Sequence, residues 1–153
     1  MKLISHRGNV NGRFESHENE PNYIDIAIKS GYDVEVDVWC NNDMLYLGHD
    51  KPEYGIDFRW FRDRIIKLWV HCKDLDSLYL LNNIGYGFNY FYHDKDDFTL
   101  TSTNNIWTYP GKILTPNSIC VLPEQSDYSM KQLSECYGIC SDNIEMYKNE
   151  LKL

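Results

Sequence analysis

The 153 residues suffice for one domain with its own core and leave little room for a second. Apolar residues at 42% and charged residues at 25% exclude a disordered or fibrous chain, while 14% aromatics, with twelve Tyr among them, point to a core or pocket built from flat, partly polar side chains. A net charge of −8 disfavours the broad basic surface that nucleic-acid binders use, so an anionic substrate must be small and met locally.

In chain order, "MKLISHRG" reaches polar residues before an apolar leader segment can form, and no apolar stretch has membrane-spanning length. The five cysteines, Cys40, Cys72, Cys120, Cys136 and Cys140, are odd in number and lack CxxC spacing. They read as reduced, mostly buried thiols of a cytoplasmic protein. "KLISH" is a strand that ends in His6, Arg7 and Gly8. Ile24, Ala27 and Ile28 fall at helical spacing between Pro21, suited to a first helical position, and Gly31, suited to a stop. "DVEVDVW" alternates acidic residues with Val, the pattern of a strand with one polar and one apolar face.

Across the "CNND" turn, "MLYLGHD" is a further strand, which reads as a hairpin-like or tight connection. A helix around "DFRWFRDR" leads to the strand "IIKLWVHCK", and "LDSLYLLNNIG" is helical. "GFNYFYHD", "FTLTSTNNIWTYPG" and "SICVLPE" follow as strands, then a helix-like "SMKQLSECY" and a last strand "YGICSD". About eight strand-like segments with helices between only some favour α/β architecture. A full (β/α)8 barrel takes roughly 200 residues or more. The fold implied is therefore a single domain over 1–153, a reduced TIM (β/α)8-type barrel with several crossover helices shortened or missing, above all around 98–110.

Polar residues gather at the strand ends: His6 and Arg7, Glu35 and Asp37, His49 and Asp50, His71 and Lys73, His93, Trp107 and Tyr109, then Glu124. The C-terminal ends of parallel barrel strands converge on one site. Glu35 and Asp37, two apart on a strand, point to one face and can share a hard cation. Arg7 offers a planar fork for phosphate oxygens and Lys73 a compact charge. His6 and His49 titrate near neutrality, so one can accept a proton while the other donates one. Together these describe metal-assisted phosphoryl transfer on an ester.

"HRG" at 6–8, "EN" at 18–19 before a helix, "EVDV" at 35–38 and "GHD" at 48–50, in this order, resemble the glycerophosphodiester phosphodiesterase family, within the superfamily that includes phosphatidylinositol-specific phospholipase C. The resemblance is close over 3–50 and weaker beyond, where "YGICSDN" at 137–143 looks like the family's last strand. It implies a TIM barrel that cleaves a small glycerophosphodiester with a divalent metal, Mg2+ or Ca2+ and then Mn2+. His6 and His49 match the acid–base pair, Arg7 the phosphate-binding arginine, and Glu35 and Asp37 metal ligands. Attack by a neighbouring substrate hydroxyl, giving a cyclic phosphate, is implied as well.

The family's acidic third ligand is replaced in "HCK" by His71, with Lys73 retained. An imidazole there either moves preference toward Mn2+ or Zn2+ or leaves the metal with two carboxylates and more water. Lys73, His93 and Trp107 are candidates for binding substrate, and Glu18, Asp50 and Glu124 for supporting the site. The alternative is a non-catalytic protein of the same fold that binds a phosphorylated ligand. A lyase acting on a lipid headgroup is a third reading, disfavoured because no apolar, Trp/Lys-rich surface segment would dock stably on a membrane.

Overall fold

A computed structural model describes residues 1–84 and 87–153. The N-terminal half runs β1 (Lys2–His6), α1 (Pro21–Lys29), β2 (Asp33–Asn41), β3 (Met44–Leu47), β4 (Tyr54–Ile56), α2 (Phe58–Arg62) and β5 (Leu68–Cys72). It continues through α3 (Leu75–Ile84), β6 (Asn89–Tyr92), β7 (Phe98–Leu100), β8 (Ile106–Thr108), β9 (Ser118–Val121), α4 (Met130–Ser134), β10 (Gly138–Ser141) and α5 (Ile144–Glu150). The helix read over "LDSLYLLNNIG" is α3, and its last residue, Gly85, lies outside the described residues. Neither β4 nor α5 was expected. The i, i+3 pair Ile144 and Tyr147, both buried, is the apolar stripe that seats α5.

All ten strands share one sheet. Seven run parallel in the order β6-β5-β2-β1-β10-β9-β8. β2 is the hub: Val34 and Glu35 pair with β1 on one edge and β5 on the other, and Val38 passes on to β3. The sheet curls until the free edge of β6 reaches β7 and the segment after it. There Ser102 N–H donates to Tyr90 O at 2.9 Å, Tyr90 N–H to Ser102 Oγ at 3.0 Å, and Thr99 Oγ1 to Tyr92 O at 3.3 Å. Hydroxyl groups take the place of a regular backbone ladder at this seam.

The fold is thus mixed α/β, as expected, with a curled, partial-barrel sheet rather than a full ring of alternating strand–helix units. No helix lies between β6 and β9, the stretch where simplification was expected. Only five residues separate β6 from β7 and β7 from β8, whereas a parallel crossover takes about a dozen. β7 accordingly lies antiparallel to β8. The "MLYLGHD" strand takes the hairpin-like arrangement and so is no member of the parallel ring: as β3 it folds back antiparallel on β2, in register from Val38 opposite Leu47 to Asn41 opposite Met44.

The acidic face of β2 turns inward. Its Val face meets α1, α2 and α3 through Ile24, Ala27, Phe61 and Leu81 in one outer core. A second outer core joins Cys120 and Ile139 to Leu133, Ile144 and Tyr147. Each fully buried aliphatic or Phe side chain contributes about 1.5–3 kcal/mol. The concave side is filled by Ile4, Trp69, Phe91, Trp107, Ile119, Val121 and Cys140. Asp33 is buried at the end where the parallel strands begin, held by Lys2 at 2.8 Å, Lys67 at 3.0 Å and Trp69 Nε1 at 3.3 Å. All five cysteines are free and buried. No helix among the described residues is long and apolar enough to cross a membrane.

Candidate active site

At the opposite end of the filled interior, where the parallel strands finish, the sheet leaves a cavity of about 370 Å3. His6, Arg7, Glu35, His49, His71, Lys73, His93 and Trp107 all line it, with Tyr109 and Gln125. Most arrive as expected, from the ends of β1, β2, β5 and β6. His49 comes by another route. The antiparallel return of β3 carries the chain back to Asp37, where Gly48 N–H donates to Asp37 O at 3.2 Å. Gly48 has φ +146°, and a Cβ on it would collide with the Lys51 carbonyl oxygen. This turn brings His49 Nδ1 to 3.3 Å from Asp37 Oδ2.

Oxygens of Glu35 and Asp37 and a ring nitrogen of His71 lie within 4.8 Å of one another, a cluster able to hold a metal ion. The neighbours of His71 define its tautomer. Its Nε2 is 3.0 Å from the His93 carbonyl oxygen, which only accepts, so Nε2 carries a proton. Nδ1 then faces Asp37 Oδ1 at 3.0 Å and Glu35 Oε1 at 3.9 Å. It meets them either as N–H, with the ring cationic, or as a lone pair that requires a cation between.

Glu35 is 2% exposed, and its Oε2 has no hydrogen-bond partner. Burial, then the charge of Asp37, raises the Glu35 pKa. Burial acts on Asp37 in the same direction, but hydrogen bonds from His49 and His71 and the charge of Arg7 hold it well below the carboxylate range. An orphaned buried carboxylate oxygen, a second carboxylate and an imidazole nitrogen oriented through its other nitrogen fit a divalent cation.

His6 belongs to a second network. Its Nδ1 is 2.8 Å from Asp142 Oδ1, an oxygen that also accepts from Asn9 Nδ2 at 2.8 Å. Burial favours neutral His6, yet the Asp142 hydrogen bond and the charge of Glu35 leave its pKa raised. Nδ1–H is thereby fixed on Asp142, and Nε2 faces Glu35 Oε2 at 3.9 Å. Asp142 is held in turn: Glu124 accepts from its N–H and from Ser141 Oγ, each at 2.9 Å.

Arg7 sits in the left-handed region at φ +53°, a conformation costly for a residue with a Cβ. Glu18 Oε2 anchors its Nη1 at 3.1 Å. Its Nε approaches Asp37 Oδ2 to 2.9 Å without hydrogen-bond alignment, and Nη2 is 3.4 Å from His49 Nε2. Lys73 Nζ stands 3.3 Å from Asp37 Oδ1.

Glu18 thus contacts Arg7 directly, and Glu124 reaches His6 only through Asp142. Asp50 is 92% exposed at its side chain and 3.6 Å from His49 Nε2, outside hydrogen-bond reach. Trp107, 6% exposed, is chiefly an interior residue, stacked on Phe91 at 4.4 Å, with one side on the cavity. Three network residues were not singled out from sequence: Asn9, Asn19 and Asp142. Asn19 exchanges two bonds of 2.9 Å with Asp37, through its side-chain amide to Oδ2 and from the Asp37 N–H. Asn19 stood in the "EN" pair, and Asp142 has the same strand-end position as the other site residues. Asn9 carried no comparable signal. Comparisons of the chain with models of known families, with curated proteins and with solved structures gave no match.

Proposed function

We propose that this chain is a metal-dependent phosphodiesterase of the glycerophosphodiester phosphodiesterase kind, acting on a small polyol phosphodiester within a reduced barrel of that family. The carrying observation is that His6, His49, Arg7 and Lys73 line one cavity together with Glu35 and His71, which form a cluster with the fully buried Asp37 behind them. In this reading Arg7 and Lys73 hold the non-bridging phosphate oxygens. His6, its Nδ1–H engaged by Asp142, offers Nε2 as the base that takes the proton of the attacking hydroxyl. His49, at the solvent-facing side and 40% exposed at its side chain, gives a proton to the departing alkoxide. A neighbouring substrate hydroxyl as nucleophile yields a cyclic phosphate. A divalent ion held by Glu35, Asp37 and His71, Mg2+ or Ca2+ by its carboxylates or Mn2+ by its imidazole, would supply charge neutralisation at the phosphoryl oxygens.

The test is alcohol release from a glycerophosphodiester with added Mg2+, Ca2+ or Mn2+, for the wild type and His6→Ala. Equal rates sink the catalytic reading.

One observation favours the non-catalytic alternative. Asp37 is already contacted by Arg7, Asn19, His49, His71 and Lys73. Such a network holds the pocket for a phosphorylated ligand by itself. Ligand binding that is indifferent to metal, with no turnover, supports that alternative.

A further inference from the structure

His6 and Arg7 are neighbours in sequence, yet different acids hold their side chains. Asp142 Oδ1 accepts from His6 Nδ1 at 2.8 Å, and Glu18 Oε2 accepts from Arg7 Nη1 at 3.1 Å. Among the described residues, Glu18 receives the only aligned hydrogen bond that Arg7 gives to a carboxylate, because Nε beside Asp37 is misaligned. Asn9 joins the two acids. Its Nδ2 donates to Asp142 Oδ1 at 2.8 Å and to Glu18 Oε1 at 3.1 Å. The Phe14 N–H can only donate, so its 3.0 Å contact identifies the other end of the amide as Oδ1, which the Tyr23 hydroxyl also approaches to 3.3 Å. A primary amide has two donor hydrogens, and here each meets one carboxylate. Arg13 shares Glu18 Oε1 at 2.9 Å from the solvent side, 54% exposed at its side chain. Asn9 is 0% exposed, so solvent does not compete for its bonds.

The turn that seats this amide is specific to it. Asn9 N–H donates to His6 O at 2.9 Å across Gly8, which has φ +94°. A Cβ on Gly8 would stand 2.6 Å from the Tyr23 ring, so glycine is what lets Tyr23 reach over to Asn9. A line of side-chain hydrogen bonds thus runs from imidazole to guanidinium: His6, Asp142, Asn9, Glu18, Arg7. Buried polar networks whose members are all satisfied rigidify the groups at their ends. We infer that Asn9 is a positioning residue that sets the His6 imidazole and the Arg7 guanidinium relative to each other, so that proton acceptor and phosphate fork address one phosphoryl group. This rests on the phosphodiesterase reading for the roles of His6 and Arg7. Asn9 itself is not among the residues that line the cavity.

Two readouts on the full chain test it: calorimetric binding of inorganic phosphate with a chelator present, and steady-state hydrolysis of a glycerophosphodiester with added divalent metal. Asn9→Leu keeps the volume and removes the amide. It should weaken phosphate binding about tenfold, through Glu18 and Arg7, and lower kcat about tenfold, through Asp142 and His6, the scale of one lost hydrogen bond to a charged group. Asp142→Asn should show the second loss without the first. A residue that only filled space would be replaced by Leu with neither loss. In an active enzyme, an Asn9→Leu variant that shows neither loss or only one overturns the inference, as does a wild type that binds no phosphate. Should Asn9→Leu not fold, Asn9→Ser decides. One hydroxyl proton serves one carboxylate, so at least one loss must persist, and full wild-type behaviour overturns the inference. A wild type that binds phosphate in an Asn9-dependent way yet hydrolyses no diester removes the catalytic reading and leaves Asn9 as the residue that orients Arg7.

Discussion

Asp142 Oδ1 stands 2.8 Å from His6 Nδ1, joining the end of the last strand to the end of the first across 136 positions of sequence. The carboxylate cannot donate, so it selects the imidazole tautomer whose Nε2 is free toward the cavity. Asp142→Asn keeps the shape and removes the charge. We expect kcat to fall on the order of tenfold to a hundredfold with KM unchanged. Because Asp142 raises the His6 pKa, its loss should also move the ascending limb of the pH–rate profile to lower pH. A merely structural role would leave that limb in place.

If the Glu35–Asp37–His71 cluster takes a metal ion, its preference should follow from His71. An imidazole among two carboxylates suits Mn2+ better than an all-oxygen set does. His71→Asp should therefore move the affinity ratio from Mn2+ toward Ca2+ and Mg2+ in a calorimetric titration. An unchanged ratio would show that His71 does not ligate the ion.

Gly48 sets the position of His49. Gly48→Ala meets both a left-handed φ of +146° and the Lys51 carbonyl, which should lower stability by about 1–3 kcal/mol and displace His49. Gly31→Ala serves as the control. It carries a positive φ of +99° but has nothing within 4 Å of the added Cβ, so activity should persist at some loss of stability. Equal activity in the two variants would separate His49 placement from this turn.

Acid stability should depend on Glu18. Burial opposes its ionisation, but Arg13 and Arg7 and the Asn9 amide hold its pKa below the ordinary value. A depressed folded-state pKa contributes stability that is complete above the unfolded value, about 4.3, and lost as pH falls through the folded value. Glu18→Gln should lower the urea midpoint at neutral pH and flatten the fall within that window. The curves of the two proteins should converge in acid; parallel curves would rule the contribution out.

Much of the site was legible because it is written in local pattern. The alternation in "DVEVDVW" puts Glu35 and Asp37 on one face whatever the sheet does around them, and Pro21 and the spacing of Ile24 and Ala27 specify α1. The weak points were local as well. The 3-residue β4 and the short α5 carry too few residues for a periodic signal, and the five-residue links around β7 had to be measured against what a crossover needs.

By itself, then, the sequence determined which side chains share a face and which residues end each strand, since those follow from backbone periods of 2 and 3.6. Tertiary structure alone decided that the acidic face of β2 is the concave one, that the return from β3 sets His49 beside Asp37, and that Asp142 and Asn9 meet at His6. It also decided that His71 turns Nδ1 toward the carboxylates by giving Nε2 to the His93 carbonyl. Such contacts join residues far apart in the chain. Their geometry depends on how the sheet curls and which strands it brings side by side, and no local period encodes that.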